Sequence, residues 1–113
     1  MSHIFCFLDI FILTSRITID NLNATSFTES KDDWAALFVN IFNVSSDRIV
    51  LQHDDSKNEI SVQVRSRSAE KDDILNLMKN ESKFISSINT EKNQLTTLKK
   101  YTATEVTQPD SSK

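Results

Sequence analysis

The residues best suited to chemistry in this chain are His53, Asp54 and Asp55, which follow one another directly. An imidazole and two carboxylates can ligate a metal ion or transfer protons. Consecutive side chains on a turn converge poorly, and the only other histidine is His3. We interpret the group as the polar tip of a hairpin. The sequence therefore predicts no metal site and no cofactor.

Cys6 and His3 are the remaining candidates for a nucleophile and its base, and no third group is available to orient them. The single cysteine excludes an internal disulfide and any Cys-x-x-Cys site. The chain has no glycine, which excludes a P-loop, a dinucleotide fingerprint and a nucleophile elbow. We expect a protein without catalytic residues, in which Asn and Asp adopt the left-handed backbone positions that glycine usually occupies.

Three Asn-x-Ser/Thr sequons begin at Asn23, Asn43 and Asn80. All three lie in predicted loops or at predicted helix ends, where a glycan can be attached. They are candidate glycosylation sites if the chain is exported. Asn43 has a competing role, because it stands where a glycine would normally end a helix.

The net charge of −3 argues against nucleic acid or an anionic membrane as the main partner. Arg65, Arg67 and Lys71 could contact phosphate. However, the strand that carries Arg65 presents Ser61 and Gln63 beside it, not the aromatic residues on which RNA bases stack. We interpret these cations as a solvated face and predict no nucleic-acid binding.

The apolar run Ile4–Thr14 admits three hypotheses. It is too short for a transmembrane helix, which needs about 20 residues, so no stable membrane span is predicted. Its length suits an export signal, although no Lys or Arg precedes it and Asp9 interrupts it. It also suits a buried element of the fold, or a misplaced start of the gene. We accordingly divide the chain into a leader or extra core element (1–15), one α+β domain (16–107) and a polar tail (108–113).

Hydrophobic periodicity predicts the elements of the domain. Ser30 and Asp33 resemble a capping box for the first helix, and Ser68 is expected to cap the second. Phe84–Ile88 is interpreted as a turn or short helix. The predicted elements, in order, are a strand at 16–22, a helix at 31–43, strands at 48–52 and 59–66 joined as a hairpin, a helix from 68, and a strand at 94–106.

This β-α-β-β-α-β order predicts two helices packed on one face of a four-stranded antiparallel sheet. It is the ferredoxin-like, split βαβ arrangement.

The segment "LFVNIFNVSSDRIVLQ" resembles the SEA domain family, in which the first helix also ends just before the second strand. The resemblance covers about 16–106 and rests on hydrophobic spacing. Many SEA domains cleave themselves at a Gly-Ser bond in the hairpin leading to the third strand. Here Ile60 stands where the glycine would be, before Ser61. Because Ile60 is β-branched and favours a regular strand, we predict no self-cleavage.

Two functional hypotheses follow. The first is a non-enzymatic extracellular module, a spacer, adhesion or protein-interaction domain of a larger secreted or surface protein. The second is an intracellular regulatory or partner-binding domain, in which residues 1–15 pack into the fold. The sequence names neither the protein partner nor the oligomeric state.

Overall fold

The computed structural model describes residues 10–112, which form an antiparallel sheet with helices against it. The α+β class is therefore confirmed. The elements in chain order are β1 (Ile10–Asp20), α1 (Ala24–Phe42), β2 (Ile49–Asp54), β3 (Glu59–Arg67), α2 (Ser68–Lys79), α3 (Glu81–Glu91) and β4 (Thr102–Ser112).

The four described strands lie in the order β2-β3-β1-β4, and every neighbouring pair is antiparallel. β1 is central, since it pairs with β3 on one side and with β4 on the other. The predicted hairpin connects β2 to β3. Its turn uses Asn58 at φ 52°, so asparagine takes the left-handed conformation as expected.

The second half of the apolar run belongs to the sheet. β1 starts at Ile10, six residues before the expected strand at Arg16. Leu13 is 0% exposed and Ser15 is 1% exposed, so both lie in the interior. The first half of the run, including Cys6 and Asp9, lies outside the described residues, as does His3.

Helix α1 begins two turns earlier than the sequence pattern predicted. Asn23 is its N-cap, and the Asn23 side chain accepts a hydrogen bond from the Ser26 backbone N–H at 2.8 Å. The prediction that Ser30 caps the helix was wrong. Ser30 lies inside the helix and donates its hydroxyl to the Ser26 carbonyl at 2.6 Å. The polar segment before it is helical because Phe27 extends the buried stripe by one turn.

The described chain has three α-helices where the sequence predicted two. The additional helix, α3, contains the segment interpreted as a turn or short helix, and Asn80 separates it from α2. Ser68 is the first residue of α2 and does not cap it. Arg67 is the N-cap, and the Glu70 carboxylate accepts a hydrogen bond from the Arg67 backbone N–H at 3.2 Å.

The last strand is shifted toward the C-terminus. Two short 3₁₀ turns, Lys92–Gln94 and Thr96–Leu98, occupy the start of the predicted strand. β4 begins at Thr102 and pairs with β1 as far as Ser112, through the residues expected to be a tail. Burial of Tyr101, Ala103 and Val106 ties this strand to the interior.

The core lies between the sheet and the helices and is rich in aromatic side chains. Phe84 on α3 packs against Phe38 and Phe42 on α1, with ring centroids 6.5 Å and 5.6 Å apart. Trp34 contacts Tyr101 with centroids 6.0 Å apart, which joins α1 to the start of β4. Such pairs add to the free energy of burial by about 0.5–1.5 kcal/mol each.

Candidate interaction surface

Within residues 10–112, the helices cover one face of the sheet and no helix packs on the opposite face. In β1 and β3 the buried residues alternate with partly or fully exposed ones, as expected for a sheet with one covered face. We call the uncovered side the open face. On the two central strands its residues are Ile10, Ile12, Thr14, Arg16, Thr18, Asp20, Glu59, Ser61, Gln63, Arg65 and Arg67.

One end of the open face is acidic. The strand register places Asp54 opposite Glu59, Glu59 opposite Thr18, and Thr18 opposite Glu105. These residues therefore form one line across all four described strands. Asp54 and Glu59 lie on neighbouring strands about 4.8 Å apart, so their carboxylates are close enough to repel each other, and Glu105 lies two strands farther along the line. We call Asp54, Glu59 and Glu105 the acidic row.

The other end of the open face carries arginines. Arg48 lies just before β2, and its Nε donates a hydrogen bond to the Arg65 carbonyl at 2.8 Å. Its terminal nitrogen forms an ion pair with Glu70. Burial, followed by the positive charge of Arg67, lowers the pKa of Arg48, while Asp47 opposes the change. We call Arg48, Arg65 and Arg67 the arginine end.

The acidic row and the arginine end are separated along the strands. Arg65 follows Glu59 by six positions along β3, which corresponds to roughly 20 Å at about 3.3 Å per residue. Arg16 occupies the middle of the face and forms an ion pair with Asp110 at 3.7 Å. Both side chains are largely exposed, so this pair contributes little to stability.

The arginine end also has apolar members, and these come from the apolar run. Ile10 lies opposite Arg67 and Ile12 lies opposite Arg65 in the β1–β3 ladder. Ile10 is 37% exposed, more than any other large apolar side chain among the described residues. The sequence pattern did not reveal this arrangement. Only the register of β1 against β3 brings isoleucines of the run beside the arginines.

The residues 53–55 do not converge on a common site. The His53 ring turns toward the helices and stacks on Phe27, with centroids 5.2 Å apart. Asp54 lies on the open face and accepts a hydrogen bond from the Ser56 hydroxyl at 2.6 Å, which lowers the pKa of Asp54. Asp55 accepts a hydrogen bond from the Ala24 backbone N–H at 3.1 Å. Each side chain thus serves a separate local contact.

Two further features are a cleft on the open face and the position of Lys71. A cleft of about 190 Å³ lies beside Arg16, Gln52 and Glu59. Lys71, which was grouped with the arginines in the sequence, lies with its Nζ 4.4 Å from the centroid of the Phe11 ring. Phe11 is on the helix-covered side of β1, so Lys71 does not belong to the open face.

Ile60 and Ser61 lie within regular β3. Ile60 pairs with His53 on one side and with Ile17 on the other, and it is 0% exposed. Ser61 pairs with Gln52 and Arg16 in the same two ladders. The peptide bond between them is therefore held from both sides. The absence of self-cleavage remains a prediction.

Each sequon asparagine is exposed and located at a helix end. The Asn23 side chain caps α1, and the Asn80 side chain caps α3 by accepting from the Lys83 backbone N–H at 3.3 Å. Asn43 ends α1 in the left-handed conformation, with φ 56°, as predicted for a residue that replaces glycine. All three remain candidate glycosylation sites, and capping gives each asparagine a structural role as well.

Outside the open face, a wide groove of about 630 Å³ lies among the three helices, lined by residues that include Ile41, Asp73, Leu77 and Lys83. Within residues 10–112, no group of three His, Cys, Asp or Glu side chains could hold a metal ion. Among the helices of that same range, none combines the length and apolar character needed to cross a bilayer.

No protein-family model, curated protein or solved structure matches this chain.

Proposed function

We propose that this chain is a non-enzymatic protein-interaction domain that binds its partner through the open face. The observation that carries the proposal is the charge arrangement of that face. Three carboxylates cross the strands at one end and three arginines gather at the other, while aromatic and aliphatic side chains fill the opposite side. Complementary charge gives protein association its orientation and its speed.

The proposal includes Ile10–Ser15 as a permanent part of the domain. These residues pair with 62–67 of β3, and they supply the apolar members of the arginine end. Cleavage after Ser15, as an export signal would require, removes the buried Leu13 and leaves six of the nine β3 residues without their β1 neighbours. We therefore favour the partner-binding hypothesis in which the run is retained, with the cytoplasm as the compartment that accompanies it.

The strand order β2-β3-β1-β4 with antiparallel pairing supports a ferredoxin-like arrangement as the parent fold. In that arrangement α3 is an additional helix, placed between α2 and β4. The SEA-like resemblance rests on the same element order. It adds no site, because the Ile60–Ser61 position lacks the glycine of the self-cleaving members.

Site-specific photo-crosslinking in cells tests the binding surface. A photoreactive residue is introduced singly at Gln52 or Thr107 on the open face, and at Asn76 or Ser86 on α2 and α3 as matched exposed controls. We expect protein adducts from the two sheet positions and none from the two helix positions. Adducts only from the helices, or none from any position in the folded chain, would refute the proposal.

N-terminal sequencing tests the retained strand. The chain is expressed in secretory cells and, separately, in the cytoplasm, and the folded product is sequenced and weighed. We expect every folded product to keep Ile10–Ser15. A folded, glycosylated product that starts near Arg16 would support the export hypothesis instead.

A further inference from the structure

We infer that the partner of the open face is a second copy of this chain, packed sheet against sheet with its strands reversed. This inference rests on the proposed function and identifies the occupant of the same surface. It is carried by the self-complementarity of the face, since the acidic row and the arginine end lie on the same face at opposite ends of the strands.

The symmetry of the pairing follows from the positions of the charges. The two-fold axis lies between the two sheets, perpendicular to the strands. It places β1 of one copy over β1 of the other, with the two strands running in opposite directions. The acidic row of each copy then lies over the arginine end of the other, so the favourable contact occurs twice, as in any isologous dimer. An axis parallel to the strands would instead bring carboxylates against carboxylates.

The middle of the face is compatible with this arrangement. Gln52, Ser61, Arg16 and Thr107 form one line across the sheet, and Val50, Gln63, Thr14 and Asp110 form the next. In the two-fold dimer, the first line of each copy lies over the second line of the other copy. Arg16 then approaches Asp110 of the second copy, in addition to the Asp110 that it already contacts. The short polar and β-branched side chains between them leave room for close approach.

The size of the face indicates a weak, salt-sensitive dimer. Four strands about 4.8 Å apart, with a mean length of about nine residues at about 3.3 Å per residue, give a footprint of roughly 600 Å² for each copy. A standard stable interface buries about 800 Å² on each partner. Binding through a face of this size depends on its charges, and salt at 1 M shortens their reach to about 3 Å.

Sedimentation of the purified full chain tests the dimer. We expect a concentration-dependent species of twice the 12.9 kDa protomer mass at low salt, and a monomer at high salt. Reversing the arginine end (Arg65→Glu with Arg67→Glu), or reversing the acidic row (Glu59→Lys with Glu105→Lys), should raise the dimer Kd at least about tenfold. Lys79→Glu with Lys83→Glu, which changes the charge equally on the exposed helix side, should leave the Kd unchanged.

Mixing the two reversed variants provides the decisive measurement. One variant then has acidic residues at both ends of its face and the other has basic residues at both ends, so a mixed dimer should form where neither variant dimerises alone. A monomer at every concentration and salt would overturn the inference, as would a dimer insensitive to the reversals. If the open-face positions still crosslink to another protein, only the self-pairing is wrong, whereas crosslinks to nucleic acid would refute the protein-interaction function as well. If they crosslink to nothing, the interaction surface itself is wrong.

Discussion

Leu13 lies directly opposite Val64 in the antiparallel β1–β3 ladder, and both side chains are 0% exposed. One residue comes from the apolar run near the N-terminus, and the other comes from the most regular strand pattern in the chain. Their pairing makes the second half of the run a part of the hydrophobic core.

Shortening Leu13 tests this packing. Leu13→Ala removes buried methyl groups and leaves a cavity, so the free energy of unfolding should fall by about 2–5 kcal/mol. Ile10→Ala, at the exposed position of the same strand, is the control and should cost clearly less. Urea denaturation followed by circular dichroism measures both. An equal and small loss for the two variants would place Leu13 outside the core.

Substitutions at Asn43 test whether asparagine takes the role of a helix-ending glycine in this glycine-free chain. In the left-handed conformation the Cβ crowds the backbone, and asparagine offsets this cost with local hydrogen bonds that alanine cannot form. Asn43→Ala should therefore lower the free energy of unfolding by about 1 kcal/mol. Asn43→Gly should be neutral or stabilising. Ser45→Ala destroys the same sequon without touching the cap and should leave stability unchanged. Thermal unfolding compares the three, and a tolerated alanine would contradict the assignment.

The Ser56 hydroxyl should set the titration of Asp54. Its hydrogen bond favours the ionised carboxylate, so Ser56→Ala should raise the pKa of Asp54, as measured by NMR titration. A lowered folded-state pKa stabilises the fold above the unfolded value of about 3.9, and this contribution disappears as the pH falls through the folded-state pKa. Ser86→Ala is the control. An unchanged Asp54 titration in Ser56→Ala would argue against the contact.

The chain should remain intact at the Ile60–Ser61 bond. Regular β-structure on both sides of Ile60 holds the serine hydroxyl in a strand without left-handed backbone strain. Purified protein should give a single band on a denaturing gel, with the full mass by mass spectrometry. Two fragments separated before Ser61 would contradict this.

Hydrophobic spacing predicted the parts of the fold in which each element contacts the core with a regular period. Ile60, Val62 and Val64 alternate without interruption, and Trp34, Leu37 and Phe38 mark the inner side of α1, so both elements were identified from the sequence. Asn43 and Asn58 were recognisable as left-handed positions because no glycine was available.

Element boundaries depended on contacts that the sequence does not display. α1 begins at Ala24 because Asn23 caps it, although the polar residues of its first turns are typical of a loop. β4 reaches Ser112 because β1 is long enough to pair with it.

The candidate surface was harder to predict than the fold. Asp54, Glu59 and Glu105 are far apart in the chain, and only the register of three ladders places them in one line. Arg48 was taken as the start of a strand, whereas its side chain extends to Glu70 and to the Arg65 carbonyl. A single-sequence pattern gives the face of each strand but not the alignment between strands.

Amide hydrogen exchange along β1 tests the central claim most directly, since the open face, the retained strand and the self-pairing all require the second half of the run, from Ile10, to be part of the sheet. β1 is hydrogen-bonded on both sides, so we predict that the amides of Leu13 and Thr14 exchange as slowly as those of Ile17 and Ile19 in the same strand, through global unfolding alone. Exchange of Leu13 and Thr14 at the rate of an unstructured chain, with Ile17 still protected, would contradict the account.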